Sequence, residues 1–515
     1  MSLVLGPILQ FRGLRAKRWC ISLLCVTELD KTAPVLQMAK ALIVKTRTIA
    51  KVPFTAPAYK VWRLDIDLPL DAGQVEYEIG GLKRQLSVPA ATPRLAYASC
   101  NGFSDPKLMK KVDDKNERWK HLQAQHQREP YHLLLLGGDQ IYSDEMWRTI
   151  DSLYQWTELP YQRRIRSAWS RTMQQQADLF FCEVYLKRWT QAEPQVTLGS
   201  IPTVMMWDDH DIFDGWGSYP LELHQSPVFQ GLFEMARDYF RIFQLQLGLR
   251  EKHPAAIPGQ TTFNLGFSQL GELALWVLDL RSERSPDRVV SAQSWQAMFD
   301  WLDRLPPQQH LLVMSSVPVA YLDLAMLEQL LEALPGQQEL EDDLRDHWRS
   351  VPHLQERLRL IHRLLDFAIA KRCRVTLLSG DVHVGAACAV ESTRHGPVGN
   401  AAVINQLISS GVVHPGPPAL VRYLLETNAS HIEKIDRGIT AAMLPIAGRR
   451  KYLIGQRNWL AIEPDTQGRL WANWHVEEED APITKVIHPV AFEPPVAEVE
   501  TSSRGKNKEN SLQES

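Results

Sequence analysis

The amino-acid sequence predicts an α/β fold that follows a small all-β domain at the N-terminus. From Arg94 onwards, short apolar runs alternate with segments of helical period, which is the pattern of a sheet covered by helices. A continuous apolar run of this length is typical of a strand that is buried on both faces. Six runs fit this description: Leu95–Ala98, His132–Leu136, Pro202–Met206, Leu273–Leu278, Leu311–Met314 and Val375–Leu378.

Each of the six runs ends in a polar cluster, and five of the clusters carry groups suited to bind metal or phosphate. In open α/β sheets, ligands bind beyond the carboxyl ends of the strands. Recurring chemistry at these ends therefore indicates a single catalytic edge. The clusters are Ser99-Cys100-Asn101, Gly138-Asp139-Gln140-Ile141-Tyr142, Trp207-Asp208-Asp209-His210-Asp211, Asp279-Leu280-Arg281-Ser282-Glu283-Arg284, Ser315-Ser316-Val317-Pro318 and Gly380-Asp381-Val382-His383.

Residues 1–92 have a different pattern from the rest of the chain. Val61–Leu68 and Val75–Ile79 are β-like, and Asp71-Ala72-Gly73 provides a turn between them. We interpret this stretch as a β-sandwich-like domain, with residues 90–93 as the linker to the α/β part of the chain.

Segments with helical period lie between the later apolar runs. The aromatic and aliphatic stripe of Pro227–Leu247 is interpreted as core packing, and Ser294–Leu305 opens on a plausible cap. The other predicted helices are Leu108–Gln127, Ala177–Trp189 and His353–Lys371.

Two segments interrupt this regular alternation. Residues 319–350 contain a Leu-rich segment and an acidic one, and we expect either a lid or pocket wall, or a surface helix pair. Residues 491–515 are rich in Pro, Glu, Ser and Lys, which predicts a disordered tail.

The composition is that of an ordinary globular protein. Of the 515 residues, 44% are hydrophobic and 23% are charged, and the formal net charge is −3, so nucleic acid is not expected as an obligate partner. The six cysteines form no closely spaced disulfide framework, and no apolar stretch approaches the roughly 20 residues of a membrane span. We interpret Trp19–Val26, which follows Arg15, Lys17 and Arg18, as a strand rather than a signal sequence, and expect a cytoplasmic location.

Three aspartates, Asp139, Asp209 and Asp381, stand directly or shortly after apolar runs. Ionised carboxylates gathered at one edge repel each other and are costly to bury. Bound cations would remove that cost, and a mixture of carboxylate, imidazole, thiolate and phenolate groups suits transition metals or mixed metal pairs. His383 follows Asp381 at a distance of two residues, so both side chains are able to reach one metal from a single loop.

In order along the chain, these motifs resemble those of the PhoD-like alkaline phosphatases, a branch of the calcineurin-like metallophosphoesterases. The resemblance extends from about Arg94 to Gly411, and it implies a four-layer α/β-β/α metallophosphoesterase sandwich in residues 93–490, preceded by the β-domain of residues 1–92. The matching motifs are Ser-Cys-Asn, Gly-Asp-Gln-Ile-Tyr, Trp-Asp-Asp-His-Asp, Asp-Leu-Arg-x-x-Arg, Ser-Ser-x-Pro and Ser-Gly-Asp-Val-His.

The resemblance also implies metal ligands. Asp139 would bridge two sites, and a thiolate and a phenolate favour Fe(III) at the first of them. Asp209 and His383 would serve the second site, which holds Ca(II) or another divalent cation in this family. The remaining ligands of the iron-like site would be Cys100, Tyr142 and Asp381.

The same resemblance suggests catalytic groups for the hydrolysis of a phosphate ester by water that the metals activate. His210 would protonate the leaving oxygen, and Asp211 would orient His210. Arg281 and Arg284 would contact the phosphate, which suits the guanidinium fork.

The chain departs from the family pattern at two places. Asn101 stands where a Gln is common, and Ile212–Gly217 differs from the family's Asn pair, so that Asp214 is a candidate to compensate in the second metal shell.

The sequence leaves several functions open. Monoester and diester hydrolysis are not separated, so a phosphodiesterase of the same fold is one alternative, and a non-catalytic metal-binding scaffold is another. A serine hydrolase that uses Ser315 or Ser316 is disfavoured, because no Gly-x-Ser-x-Gly elbow surrounds either residue. The sequence assigns no oligomeric state.

Overall fold

The computed structural model describes most of the chain. The predicted tail 491–515 and most of the predicted insertion 319–350 lie outside the described residues. Within the described residues, no helix is both long and apolar enough to cross a bilayer. The described residues are 3–52, 55–322, 348, 353–394, 402–446 and 448–490.

The largest sheet has ten strands, and its middle strands are parallel. Strands β8, β9 and β10 each come from one of the predicted apolar runs, and all of their residues are buried. From one edge to the other, the strands are β22 (Ile483–Ile487), β21 (Leu470–Val476), β20 (Asn458–Pro464), β8 (Leu95–Ala98), β9 (Leu133–Gly137), β10 (Thr203–Met206), β1 (Leu5–Arg15), β2 (Arg18–Glu28), β5 (Tyr59–Pro69) and β4 (Ile43–Val52).

A second sheet has nine strands, and it contains the other three predicted runs as the parallel strands β12, β13 and β14. The strands in spatial order are β11 (Leu265–Leu270), β12 (Leu273–Val277), β13 (His310–Met314), β14 (Arg374–Ser379), β16 (Val403–Ile408), β15 (Gly385–Ser392), β18 (Ile439–Leu444) and β17 (Ile432–Asp436), while β19 (Leu453–Ile454) pairs with β15. A small third sheet consists of β3 (Leu36–Met38), β6 (Gln74–Ile79) and β7 (Leu82–Ser87).

Along the chain, most of the helices occur between strands of the two large sheets. The predicted helix Leu108–Gln127 is two helices, and the other four predicted helical segments each contain a helix. The helices are α1 (Pro106–Lys111), α2 (Glu117–Arg128), α3 (Met146–Thr149), α4 (Asp151–Thr157), α5 (Tyr161–Arg164), α6 (Arg171–Trp189), α7 (Ala192–Leu198), α8 (Leu221–His224), α9 (Pro227–Tyr239), α10 (Ala292–Arg304), α11 (Leu354–Lys371) and α12 (Ala419–Asn428).

Helix α9 illustrates how the sequence specifies these elements. The Ser226 side chain caps its N-terminus by accepting from the Phe229 amide, and Pro227 occupies the first turn, where its missing N–H costs nothing. The apolar stripe turns inward, with Phe229 and Phe233 buried, and the helix continues as a π-helical turn over Phe240–Gln244. The prediction that this stripe packs in the core is confirmed.

The two large sheets pack face to face. On β13, Leu312 and Met314 belong to the apolar cluster shared with the ten-stranded sheet. Their neighbours Leu311 and Val313 point the other way, into a cluster with α10 and α11. Because successive side chains of a strand point to opposite faces, β13 is buried on both sides and needs a continuous apolar run. The mixed α/β class is confirmed.

The strands of residues 1–92 are not isolated from the remaining chain. β1 pairs in parallel with β10, and β2, β5 and β4 continue the ten-stranded sheet from there. The sequence predicted a self-contained sandwich in residues 1–92, whereas in the structure β1 pairs with a strand outside this range. The reason lies in β1 and β2, whose central residues are buried on both faces and therefore need neighbours from other parts of the chain. A domain boundary at residue 92 stays a prediction.

Candidate active site

The predicted site residues come from loops that follow strands of both sheets. Four of the predicted metal ligands have a left-handed backbone, with φ values of 54° at Cys100, 53° at Asp139, 68° at Asp381 and 52° at His383. Residues other than glycine rarely adopt this conformation, which persists only where the surrounding structure enforces it, and it is frequent at functional sites. The two sheets therefore hold these four residues in unusual conformations at one edge.

Three carboxylates form the centre of the site. Ligand atoms of Asp139, Asp208 and Asp209 all lie within 4.8 Å of one another, and all three side chains are buried. Asp208 was not among the predicted ligands. Within the described residues the Oδ1 atom of Asp139 has no hydrogen bond, whereas Asp209 accepts one from the Gly215 amide at 2.8 Å through Oδ2. Burial, with Asp208 as the next cause, raises the pKa of Asp139 well above its usual value.

Arg281 lies within this cluster, and its predicted contact with phosphate stays a prediction. Its Nε donates to Asp208 Oδ1, its Nη1 donates to the Trp216 carbonyl at 3.1 Å, and its Nη2 lies 3.4 Å from Asp209 Oδ1. The side chain is 0% exposed. The guanidinium therefore offsets part of the charge of Asp208 and Asp209.

Cys100 lies beside the carboxylate cluster. Its Sγ is 3.5 Å from Asp139 Oδ2, 2.9 Å from Ser410 Oγ and 4.0 Å from the Asp381 carbonyl. Burial and the nearby Asp139 raise the pKa of the thiol well above its usual value. A cation bound beside the sulfur would favour the thiolate form.

Tyr142 and His383, two further predicted ligands, each present a buried polar atom toward the site. The Tyr142 hydroxyl and His383 Nδ1 have no hydrogen bond within the part of the chain that the structure describes. The His383 amide donates to Ser410 Oγ at 3.1 Å. This hydrogen bond links the loop of His383 to Ser410, which also contacts Cys100 Sγ. Asp381, two residues before His383, is half-buried.

In the structure the ring of His210, the predicted acid, is bound by Asp144, whereas the sequence suggested Asp211 as its partner. His210 Nδ1 donates to Asp144 Oδ2 at 2.7 Å, and Asp144 Oδ1 accepts from the Asp214 amide at 2.7 Å. The ring also stacks on Tyr142, with the ring centroids 4.3 Å apart.

Asp211 has a structural environment instead. It accepts from the backbone amides of Asp208 at 2.9 Å, Gln140 at 3.1 Å and Ile141 at 3.2 Å, and from Gln244 Nε2 at 2.8 Å. It therefore joins the loops after β9 and β10 rather than touching the His210 ring.

The environment of His210 favours its protonated form. Burial lowers the pKa of His210, but the carboxylates of Asp144 and Asp209 outweigh this effect, and the pKa is raised well above its usual value. An imidazolium is the form that a general acid needs before it donates.

Arg284, the second predicted phosphate contact, is buried, with 3% of the residue exposed. Its Nη2 lies 3.5 Å from His353 Nδ1. Gly217 packs against it so closely that a Cβ there would fall 2.5 Å from Arg284 Cγ. Its contact with phosphate stays a prediction.

His414 is another site residue that the sequence analysis missed. Its ring lies 3.7 Å from that of His383, centroid to centroid, and its backbone amide donates to the Cys100 carbonyl at 3.2 Å. The Nδ1 atom donates to the Pro415 carbonyl at 2.8 Å, so in the neutral ring the lone pair is on Nε2. The only signal in the sequence was its position three residues after Gly411.

The residues present fit a metal centre. Among the described residues, Asp139 Oδ1, Asp209 Oδ1, the Tyr142 hydroxyl and His383 Nδ1 are buried without hydrogen bonds. Buried polar atoms in native structures are nearly always satisfied, so a group of unsatisfied ligand-type atoms indicates a missing partner. A second group of ligand atoms within 4.8 Å of one another comprises Asp209, His210 and Asp214, and the compensating role expected of Asp214 stays a prediction.

Comparisons with known proteins show the family and the fold of the chain. The family described as PhoD related phosphatase matches residues 92–338 and 331–437. An uncharacterized protein of Saccharomyces cerevisiae is 26% identical over 498 residues, which cover 78% of this chain and 70% of the yeast protein. A solved structure titled "Structure of PhoD" has a TM-score of 0.57 at 14% identity, and the match covers 94% of this chain and 90% of that one.

Proposed function

Because the chain belongs to the PhoD-related phosphatase family, we propose that it is a metal-dependent hydrolase of phosphate esters with His210 as the general acid. The observation that carries the proposal is the buried cluster of Asp139, Asp208 and Asp209 beside a histidine whose Nδ1 is bound to Asp144. The negative cluster is suited to hold cations, and the histidine is suited to give a proton to a leaving oxygen.

The proposed metal ligands divide into two sets around Asp139. Cys100, Tyr142 and Asp381 join it at an iron(III)-like site, because thiolate and phenolate are the donors that this ion prefers among the groups present. When bound, the ions supply Lewis-acid activation of water and neutralise charge on the phosphoryl oxygens. The proposed second set, for Ca(II) or another divalent cation, is Asp139, Asp209 and His383.

The protein's own contribution to the reaction is the control of one proton and of charge. Asp144 fixes the His210 ring through Nδ1, so the Nε2 proton is the one available for the leaving oxygen. Arg281 offsets part of the aspartate charge, so the cluster repels an incoming phosphate less strongly. Arg284 stays a candidate for phosphate contact.

We also propose the four-layer α/β-β/α sandwich as the architecture that carries this site. The alternation of β13 side chains between the two apolar clusters supports two central sheets with helices outside. A cytoplasmic location also stays a prediction, which fractionation of cells that produce the protein would check.

The test of the proposed function is elemental analysis of the purified protein combined with a panel of phosphate esters. We expect bound metal, hydrolysis of at least one ester class, and loss of turnover when a chelator removes the metal. Bound metal without turnover on any ester would favour the non-catalytic scaffold. Rates on nitrophenyl phosphate and bis-nitrophenyl phosphate, measured side by side, distinguish a phosphomonoesterase from a phosphodiesterase.

A further inference from the structure

A small basic hollow lies between α12 and the loop that leads into β19. Its volume is about 320 Å³, and the cationic side chains that line it are Arg422, Arg449 and Lys451. Positive charge in a concave surface of this size is suited to a small anion. No role in the proposed reaction has been given to any of these residues.

The acidic groups near the hollow are already bound. Glu426, which also lines it, accepts from the backbone amides of Tyr452 at 2.6 Å and Leu453 at 3.2 Å. Arg449 donates to Glu479 at 2.7 Å. This leaves the charges of Arg422 and Lys451 without an ion pair in the part of the chain that the structure describes.

Arg422 is the most informative of the three cations. It is half-buried, its Nη1 makes one long hydrogen bond of 3.4 Å to the Gly455 carbonyl, and its Nε is buried without a hydrogen bond. A surface arginine that is simply solvated would expose Nε to water. A guanidinium with an unused buried donor is therefore prepared for a ligand, and guanidinium groups bind phosphate and carboxylate through paired N–H donors.

The hollow adjoins the loop that carries His383. A Cβ on Gly455 would fall 2.5 Å from Arg422 Cδ, and a Cβ on Gly416 would fall 2.1 Å from the Gly455 carbonyl and 3.3 Å from the His383 carbonyl. β19 also pairs with the start of β15, where Gly385 faces Ile454. The backbone of Gly455, which Arg422 contacts, therefore lies close to Gly416, which in turn approaches the His383 carbonyl.

We propose that this hollow binds a second anionic group of the substrate, so that the preferred substrates are phosphate esters that carry a further phosphate or carboxylate. The inference rests on the proposed function, since it assigns the hollow to substrates of that same site. Arg422 would hold the second anion, Lys451 would add charge, and the scissile phosphate would lie near His383. Residues in this role select substrates without taking part in the bond-breaking step.

A binding measurement tests the proposal independently of turnover. Titration calorimetry on the metal-loaded protein would compare α,ω-alkane bisphosphonates of increasing chain length with n-alkylphosphonates of matched length. We expect a bisphosphonate of suitable length to bind about tenfold more tightly than its monophosphonate partner, which is the gain from one good charge-assisted contact. Equal affinities at every length would overturn the proposal.

Variants identify the residues that provide the gain. Arg422→Gln should remove the preference for the bisphosphonate and leave the affinity for alkylphosphonates unchanged, and Lys451→Gln, at an exposed position, should reduce it. The matched control is Arg437→Gln, which removes one exposed charge in the turn between β17 and β18 and should leave the preference intact. Survival of the preference in both Arg422→Gln and Lys451→Gln would also overturn the proposal. Failure to hydrolyse any phosphate ester, with the preference intact, would contradict the proposed function alone.

Discussion

Two clusters of charged side chains in this protein contain similar residues but differ in how their charges are satisfied. On the N-terminal strands, Arg63 donates to both carboxylate oxygens of Glu251, at 2.6 and 2.9 Å, and forms an ion pair with Asp65 at 2.9 Å. Asp65 is also bound by Arg47. The two acidic groups therefore face two arginines, and each carboxylate has a donor.

In the carboxylate cluster at the candidate active site, acidic groups outnumber the arginine beside them. Asp208 and Asp209 both contact the buried Arg281, and among the described residues Asp139 and Asp209 each keep one carboxylate oxygen without a hydrogen bond. A satisfied charge network rigidifies a fold, whereas an unsatisfied one is costly unless a ligand completes it. The comparison indicates that the first cluster is structural and the second is functional.

The sharpest test of this difference is Asp139→Asn. We expect turnover to fall below detection and the metal content of both sites to fall, because the proposed bridging carboxylate is lost. The metal-free variant should nevertheless unfold at a higher denaturant concentration than the metal-free wild type, because burial and Asp208 raise the Asp139 pKa and ionisation there costs stability. Elemental analysis and denaturant unfolding check the two expectations.

Unchanged metal content in this variant would remove Asp139 from the bridging role. A lower stability of the metal-free variant would contradict the interpretation that the aspartates repel one another, and would place this cluster in the same class as the one around Arg63.

A second test uses His210→Ala, which removes the proposed proton donor and leaves the aspartates in place. We expect turnover of alkyl phosphates to fall by about 10²–10⁴, the usual contribution of general acid catalysis. Nitrophenyl phosphate should lose much less, because nitrophenolate leaves without being protonated. Equal loss on both substrates would exclude His210 as the acid.

A third and smaller effect is expected from Asp144→Asn. Because Asp144 raises the pKa of His210, its neutralisation should lower that pKa. The acid must be protonated to work, so activity falls as the pH rises through the His210 pKa, and this alkaline limb of kcat/KM should move to lower pH in the variant. At a pH above the His210 pKa of both proteins we expect a loss of about tenfold, which corresponds to roughly one unit of pKa.

The matched control for this experiment is Asp211→Asn. Asp211 accepts from three backbone amides and Gln244, and it does not contact the His210 ring. The variant should therefore lose stability without moving the alkaline limb. A shift of the limb in Asp211→Asn but not in Asp144→Asn would restore the pairing that the sequence alone suggested.

Much of the fold could be predicted because the signal is local. A strand buried on both faces needs a continuous apolar run, and all six such runs contain strands. Polar residues just after parallel strands meet at one edge for geometric reasons, so Asp139 and Asp209 were predictable neighbours. The pairing of β1 with β10 was not predictable in this way, because the two strands are far apart in the sequence and their pairing leaves no local signal.

The orientation of side chains within the site could not be predicted from the sequence either. Asp211 is adjacent to His210 in the chain, yet its carboxylate turns toward backbone amides, and Asp144 reaches the ring from another loop. The contacts of Arg281 with the buried Asp208 and Asp209 were likewise not visible from its position in a motif. These contacts depend on which loops lie next to one another in the fold, and the order of residues in the sequence contains little information about the paths of loops.

The smallest effect is expected on the structural side of the comparison, from Glu251→Gln. Arg63 is 2% exposed and would lose a charged partner but keep Asp65, so we expect a loss of about 1 kcal/mol in the free energy of unfolding. Burial raises the pKa of Glu251, but the hydrogen bonds from Arg63 and the Gly248 amide, together with the charges of Arg63 and Arg47, outweigh this and lower it overall. The charged form therefore stabilises the fold above the unfolded-state pKa, and this contribution is lost as the pH falls through the folded-state value. Denaturant unfolding should show the difference from wild type in full at neutral pH and a smaller one in acid, with kcat and metal content unchanged. A change in metal content would mean that the two clusters are coupled, and the division between a structural and a functional network would fail.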